Sequence, residues 1–329
     1  MTETRRLLIF VAVVLTIPAL LSHLLPVKKH FDSRPLERLR ARRPNVVLIS
    51  DSMLDNGVDT ELMGQQLGGR RVELLWHGGA ATAAWYFKLK NYVIASGVHP
   101  DLVCILFRDW MLTDATFRTT GTYRSKIEAA MHEGDPVYRL LLGDDFAGKQ
   151  GLERWINRIY PLNARRHVQQ EKIERALCRL ISVSGLAVGV VERKVNEAFA
   201  MANLRAEATE EASAVSKEEE VDFDPDPGHS FLPHIVDLAA QARIPLCFLR
   251  VKRYPAADGH VAQSERLRRY VADLRAWIES RGCVFIDDTD NLDRTQDMFL
   301  KAGDDHMGPW AKRRSTELYG NTLRPILFQ

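Results

Sequence analysis

The chain has 329 residues, 46% hydrophobic and 27% charged, and its 45 Lys and Arg nearly balance 43 Asp and Glu. That composition excludes disorder over most of the length and gives no electrostatic reason to expect a nucleic-acid partner. A single core seldom grows past about 250 to 300 residues, so one large domain or two ordinary ones are expected.

Leu7 to Pro26 is almost wholly apolar, broken only by Thr16, Ser22 and His23. As a helix it spans about 30 Å, the thickness of one hydrocarbon core. Arg5 and Arg6 precede it and no small-residue cleavage site follows. An uncleaved signal anchor over residues 1–27 is therefore expected, rather than a removed signal peptide. Residues 28–44 read as a basic juxtamembrane linker, with seven Lys or Arg between Lys28 and Arg43. Under the positive-inside rule that cluster puts the body of the protein in the cytoplasm; as a collar on anionic headgroups it suits the opposite side. Charge alone leaves both orientations open.

After Pro44 the pattern changes to short apolar runs: Asn45 to Ser50, Val72 to Trp76, Leu102 to Phe107, Pro245 to Arg250 and Cys283 to Asp287. Continuous rather than alternating apolar character implies strands buried on both faces, as in a parallel sheet covered by helices. Amphipathic helices are expected over Ala83 to Ser96, Leu232 to Ala242, Ser264 to Ser280 and Trp310 to Leu323. Strand and helix in alternation predict a three-layer α/β sandwich with a mainly parallel sheet across residues 45–329. Residues 121–229 interrupt the alternation and read as a helical insertion. Within it, Ile181 to Val191 is too short to span a membrane and is expected to be buried or interfacial. Glu207 to Asp226, with nine acidic residues and one lysine, reads as a solvated linker. Cys104, Cys178, Cys247 and Cys283 form no Cys-x-x-Cys pair, and the three in apolar runs are expected to be inert core thiols.

In an open parallel sheet the carboxyl ends of the strands form the ligand crevice. The first strand ends in Ser50-Asp51-Ser52, which puts the Ser52 hydroxyl at that edge. A serine hydroxyl attacks well only when a base takes its proton, and the base needs an orienting group. Gly303-Asp304-Asp305-His306, after the last strand and before the last helix, supplies both on the same edge. Taken singly, a Ser-Asp after a strand is also a helix cap, and a loop histidine is often only exposed.

With these residues the chain resembles the SGNH (GDSL-type) hydrolase superfamily, and within it the membrane-anchored members that accompany polysaccharide and teichoic-acid acylation. Ser50-Asp51-Ser52 matches the family's Gly-Asp-Ser with Ser for Gly, and Asp304 to His306 matches the Asp-x-His ending of alginate O-acetyltransferase-like proteins. The resemblance implies Ser52 as nucleophile, His306 as general base and acid, and Asp304 as the group orienting the imidazole. The second block corresponds to Trp76-His77-Gly78-Gly79, with Gly79 or Gly78 as an oxyanion donor beside the amide of Ser52. In the third block Arg108 stands where the family has asparagine, and its guanidinium is either an oxyanion donor or a structural ion-pair partner of Asp109 or Asp51. Asp51, Gly78 and Asp109, on the same loops, are expected to contact substrate. His77 is a further candidate contact, and Arg313 and Arg314 are either surface charges or holders of an anionic substrate.

The resemblance implies a membrane-anchored O-acyltransferase with its catalytic domain outside the cytoplasmic membrane, in the periplasm, acetylating a polysaccharide through an acyl-serine. A stand-alone esterase and a non-catalytic scaffold on a degenerate SGNH fold are the alternatives. Acetyl-CoA does not cross a bilayer unaided, so a polytopic membrane-bound O-acyltransferase is the expected partner, contacted through residues 7–43 and the Ile181 to Val191 run. No Gly-rich phosphate loop, EF-hand pattern or His-x-x-x-His spacing is present, and neither metal nor cofactor is expected.

Overall fold

The computed structural model describes residues 31–132, 134–142, 221–300 and 306–328, with a few isolated positions before residue 31 and between 155 and 159. The chain divides into two units, His30–Leu142 with Val215–Gln329, and Met1–Lys29 with Gly143–Ala214. The second unit falls almost wholly outside the described residues, as do the expected run Ile181 to Val191 and most of the segment 7–26. Four positions of that segment, Val13, Thr16, Ile17 and Leu20, are helical and exposed. Among the described residues no helix is long and apolar enough to cross a membrane.

The first unit is an α/β sandwich around a five-stranded, all-parallel sheet. Its strands are β1 (Val46–Ser50), β2 (Val72–Trp76), β3 (Leu102–Phe107), β4 (Leu246–Arg250) and β5 (Val284–Asp287), in the order β2-β1-β3-β4-β5. Every residue of β1, β3 and β4 is buried, as their unbroken apolar runs require of strands covered on both faces. Because side chains alternate, Val46, Leu48, Leu102, Cys104, Leu106, Cys247 and Leu249 share one face. There they form a core with Met63 of α3 (Thr60–Gln66) and Tyr319 and Leu323 of α9 (Lys312–Leu327). Gly320 lets α9 close on α3: a β-carbon there would lie 2.1 Å from Oε1 of Gln66. Cys104 and Cys247 are free thiols inside this core.

Between β2 and β3, α4 (Thr82–Lys88) passes into a π-helical turn over Leu89–Val93 and a 3-10 turn over Ile94–Ser96, where one continuous helix was expected. Further along lie α7 (Leu232–Gln241), with Pro233 in its first turn, and α8 (Glu265–Ser280). Ser264 caps α8 by accepting from the Leu267 amide, and Leu267, Tyr270, Val271, Leu274 and Ile278 form its buried stripe at helical spacing.

The described residues add detail to three sequence expectations. Residues 28–44 are not a plain linker: Arg34–Arg42 forms α1, with Leu39 buried, Arg38 and Arg42 paired to Glu73 of β2, and Arg40 donating to the Ala95 carbonyl. The arginines made the segment look solvated, yet their partners lie in the α/β unit. The start of the expected insertion also belongs to this unit, as α5 (Gly121–Glu128) and α6 (Pro136–Leu142). Finally, the acidic segment is not simply solvated at its end: Asp222 pairs with Arg266, and Phe223 packs edge-on against Tyr270 and Trp277 of α8.

Candidate active site

Strand order reverses at β1, which lies between β2 and β3, so the loops leaving β1, β2 and β3 diverge around one crevice. Ser52 stands between β1 and α2 (Met53–Gly57). Two buried neighbours fix the turn that carries it. Ser50 Oγ donates to the Leu106 carbonyl (3.1 Å), and Asp51 Oδ1 accepts from the Met53 amide (3.0 Å). Ser52 Oγ lies 2.7 Å from His306 Nε2, a contact between residues 254 positions apart.

His306 belongs to no strand or helix, yet its backbone is held on both sides. The Leu300 amide donates to the His306 carbonyl (3.0 Å), Phe299 and Met307 form an antiparallel bridge, and the Gly308 amide donates to the Met298 carbonyl (2.8 Å). Met298, Phe299, Met307 and Ala311 then close a small apolar cluster against Tyr254 and Leu318. This minor core fixes the ring against the serine. Asp304, expected to orient the imidazole, lies outside the described residues.

The turn after β2 carries the two glycines. The His77 carbonyl accepts from the Ala80 amide (3.1 Å), and Gly79 adopts a left-handed φ of 71°. A β-carbon on Gly79 would lie 2.0 Å from Cε1 of Tyr123 on α5, so both backbone and space demand glycine. Lys126, one turn further along α5, donates to the Gly78 carbonyl (2.8 Å). Beneath the crevice Lys88 is buried and ties the ends of two strands, donating to Leu75 O (2.8 Å) and Ser50 O (3.4 Å). Burial pushes its ammonium down to about 7, against the pull of the Asp51 carboxylate. Burial, then the positive charges of Lys88 and Lys126, push His77 down to about 2, so its imidazole is neutral in any ordinary buffer.

Arg108 follows β3 and is half-buried, while Asp109 beside it is buried with φ at 41°. Each of the two carboxylates weighed as partners of Arg108 has another guanidinium group beside it. Asp109 is held by Arg250 Nη2 (2.6 Å) and Arg253 Nε (3.1 Å), and Asp51 lies 3.6 Å from Arg118 Nη1. Arg250, itself 1% exposed, also reaches Asp287 and Gln263. Asp51 and Asp109 were expected to contact substrate. Both are buried, and each carboxylate faces at least one arginine. Gly78 is half-buried with its carbonyl engaged by Lys126, and Arg313 and Arg314 lie on the exposed side of α9, Arg313 pairing with Glu317.

Sequence reasoning missed Lys88, Arg118, Tyr123, Lys126 and Arg250. Only Lys88 carried a readable signal, a lysine between Phe87 and Leu89 in a largely apolar helical stretch. The others reach the site from segments without a motif.

No family model and no curated protein matches the chain. Among solved structures it is similar to a provisionally assigned acylhydrolase from Bacteroides fragilis, at 12% identity and a TM-score of 0.41, covering 92% of this chain and all of that one. A second is an α/β hydrolase enzyme from the metagenome of Lake Arreo, Spain, at 15% identity and a TM-score of 0.34, covering 85% of this chain and 96% of that one. A third is a gut microbial diltiazem-metabolizing enzyme, at 8% identity and a TM-score of 0.32, covering 86% of this chain and 47% of that one. Likenesses this distant carry no argument about substrate or mechanism.

Proposed function

We propose that the chain is a serine-dependent acyl-transferring enzyme of the SGNH type, with Ser52 as nucleophile and His306 as base. The observation that carries the reading is the 2.7 Å contact between Ser52 Oγ and His306 Nε2 at the carboxyl edge of a parallel sheet. With its proton on Nδ1, His306 accepts the serine proton at Nε2 as Oγ attacks an ester carbonyl. The tetrahedral oxyanion then needs donors aimed at it, and the amides of Ser52 and Gly79 with the guanidinium of Arg108 are the candidates. His306 returns the proton to the leaving alcohol, an acyl-Ser52 ester remains, and an incoming hydroxyl takes the acyl group by the reverse sequence.

The finer reading rests on the resemblance: an anchored, extracytoplasmic O-acetyltransferase whose acceptor is a polysaccharide hydroxyl and whose acyl group arrives from a polytopic membrane O-acyltransferase. Trp310, four residues beyond the base, supports a sugar acceptor. It is 65% exposed, with its indole N–H already satisfied by the Asp297 carbonyl (2.8 Å), which leaves a fixed apolar face for a sugar ring.

A serine-directed phosphonate tests the chemistry. It is expected to label Ser52 stoichiometrically, and Ser52→Ala and His306→Ala are each expected to abolish nearly all hydrolysis of a small acetyl ester, because the two act as a unit. Absence of labelling in the folded protein would sink the enzyme reading and leave the scaffold. For the membrane partner, a secreted form starting at Phe31, which retains α1, is expected to hydrolyse the small ester without restoring polymer acetylation in cells. Full restoration would mean that the anchor and partner are dispensable.

A further inference from the structure

Helix α5 lies in the part of the chain that matches no motif, yet two of its side chains meet the glycine turn. The Tyr123 ring rests where a β-carbon of Gly79 would be, and Lys126 Nζ donates to the Gly78 carbonyl at 2.8 Å. That carbonyl and the Gly79 N–H belong to the same peptide unit. The unit is trans, so C=O and N–H point in opposite directions, and a group that fixes one fixes the other. Among the described residues the Gly79 amide donates to no backbone or side-chain acceptor, although the turn is otherwise closed by the Ala80 to His77 hydrogen bond.

We propose that Lys126 is a positioning residue of the oxyanion hole: by holding the Gly78 carbonyl it turns the Gly79 N–H away from α5 and into the crevice, where the oxyanion forms. This rests on the acyl-enzyme reading above and also decides between the two glycines, since the peptide that Lys126 orients is the one whose nitrogen is Gly79. Tyr123 completes the device from the other side. Its ring blocks the space into which the turn would relax, and the ring itself lies 5.4 Å from Lys126 Nζ and 5.4 Å from the Arg118 guanidinium. Lys126 touches no reacting atom. Its charge also polarises the peptide it holds, which makes the opposite N–H a better donor to a developing anion.

The test uses the full chain and measures kcat and KM for a small acetyl ester together with the rate of phosphonate labelling of Ser52. Lys126→Met keeps the apolar stem and removes the donor. It is expected to lower kcat and the labelling rate about 10- to 100-fold, with KM changed less than about 3-fold. Outright loss of one oxyanion donor typically costs about 10²- to 10³-fold, and here the amide is misaimed rather than removed. Lys126→Arg, which retains a cationic donor, is expected to recover most of the rate. Arg124→Ala on the same helix removes a charge that pairs with Glu128 and leaves Lys126 in place, and is expected to keep kcat within about 3-fold of wild type. If Lys126→Met does not fold, Lys126→Gln, with a neutral donor, is expected to be folded and intermediate in kcat. Normal kcat in a folded Lys126→Met or Lys126→Gln protein, with wild type labelled and active, would overturn this inference alone. A wild-type protein that neither labels nor hydrolyses would overturn the acyl-enzyme reading and this inference with it.

Discussion

Lys88→Met removes a buried ammonium bonded to the carbonyls of Ser50 at the end of β1 and Leu75 near the end of β2. In the unfolded chain that lysine holds its proton up to about 10.5, whereas burial lowers the folded value to about 7. Between those two limits the unfolded state binds more protons than the folded one, so unfolding free energy rises with pH across the window. Below about 7 both states are protonated and the folded state carries the full penalty; above about 10.5 neither is, and the penalty is gone. A gap of about 3.5 pH units corresponds to about 5 kcal/mol in total, at a slope approaching 1.4 kcal/mol per pH unit. Urea unfolding at about pH 7.5, 8.5 and 9.5 reads that slope directly. The expected result is that wild type gains about 3 kcal/mol more than Lys88→Met across that range, other titrations cancelling in the difference. Parallel pH profiles for the two proteins would refute the reasoning, as would a wild type that loses stability relative to the variant as pH rises.

Arg250→Met removes the cation shared by buried Asp109, which keeps Arg253, and partly buried Asp287, and is expected to cost up to about 3 to 5 kcal/mol by urea unfolding, with a loss below about 1 kcal/mol counting against a structural role for the pairs. His77→Gln is expected to leave the acid limb of the kcat/KM profile where it is, because His77 is already held neutral by burial and by Lys88 and Lys126; a displacement beyond about half a pH unit would show that His77 titrates in the working range.

All five strands were legible as short runs dominated by apolar residues, and in β1, β3 and β4 burial on both faces leaves such a run no other use. The meeting of Ser52 and His306 was legible by position, one just after the first strand and the other between the last strand and the last helix. What sets their environment was not. Asp51 and Asp109 look like substrate contacts beside Ser52 and Arg108, and only the folded chain brings Arg118, Arg250 and Arg253 onto them. The hold on His306 escaped for a similar reason, since a single bridge between Phe299 and Met307 leaves no periodic trace. Helix α1 was hidden by its arginines, whose partner Glu73 lies on a strand some thirty residues away. The same holds for α5, where Tyr123 and Lys126 acquire meaning only once the Gly78–Gly79 turn is beside them.

The 254 residues between Ser52 and His306 also set an order of events during biosynthesis. At about 5 to 20 residues per second, a ribosome needs on the order of 10 to 50 s to reach the histidine after the serine has been made. Throughout that interval the nascent chain carries Ser52 without the imidazole that the proposed mechanism requires. Under the proposed acyl-enzyme reading, the site cannot be armed before His306 has been made and brought beside Ser52. On that reading, any reagent that reports on an activated Ser52 also reports that the chain has been made past His306 and that two positions 254 residues apart have met.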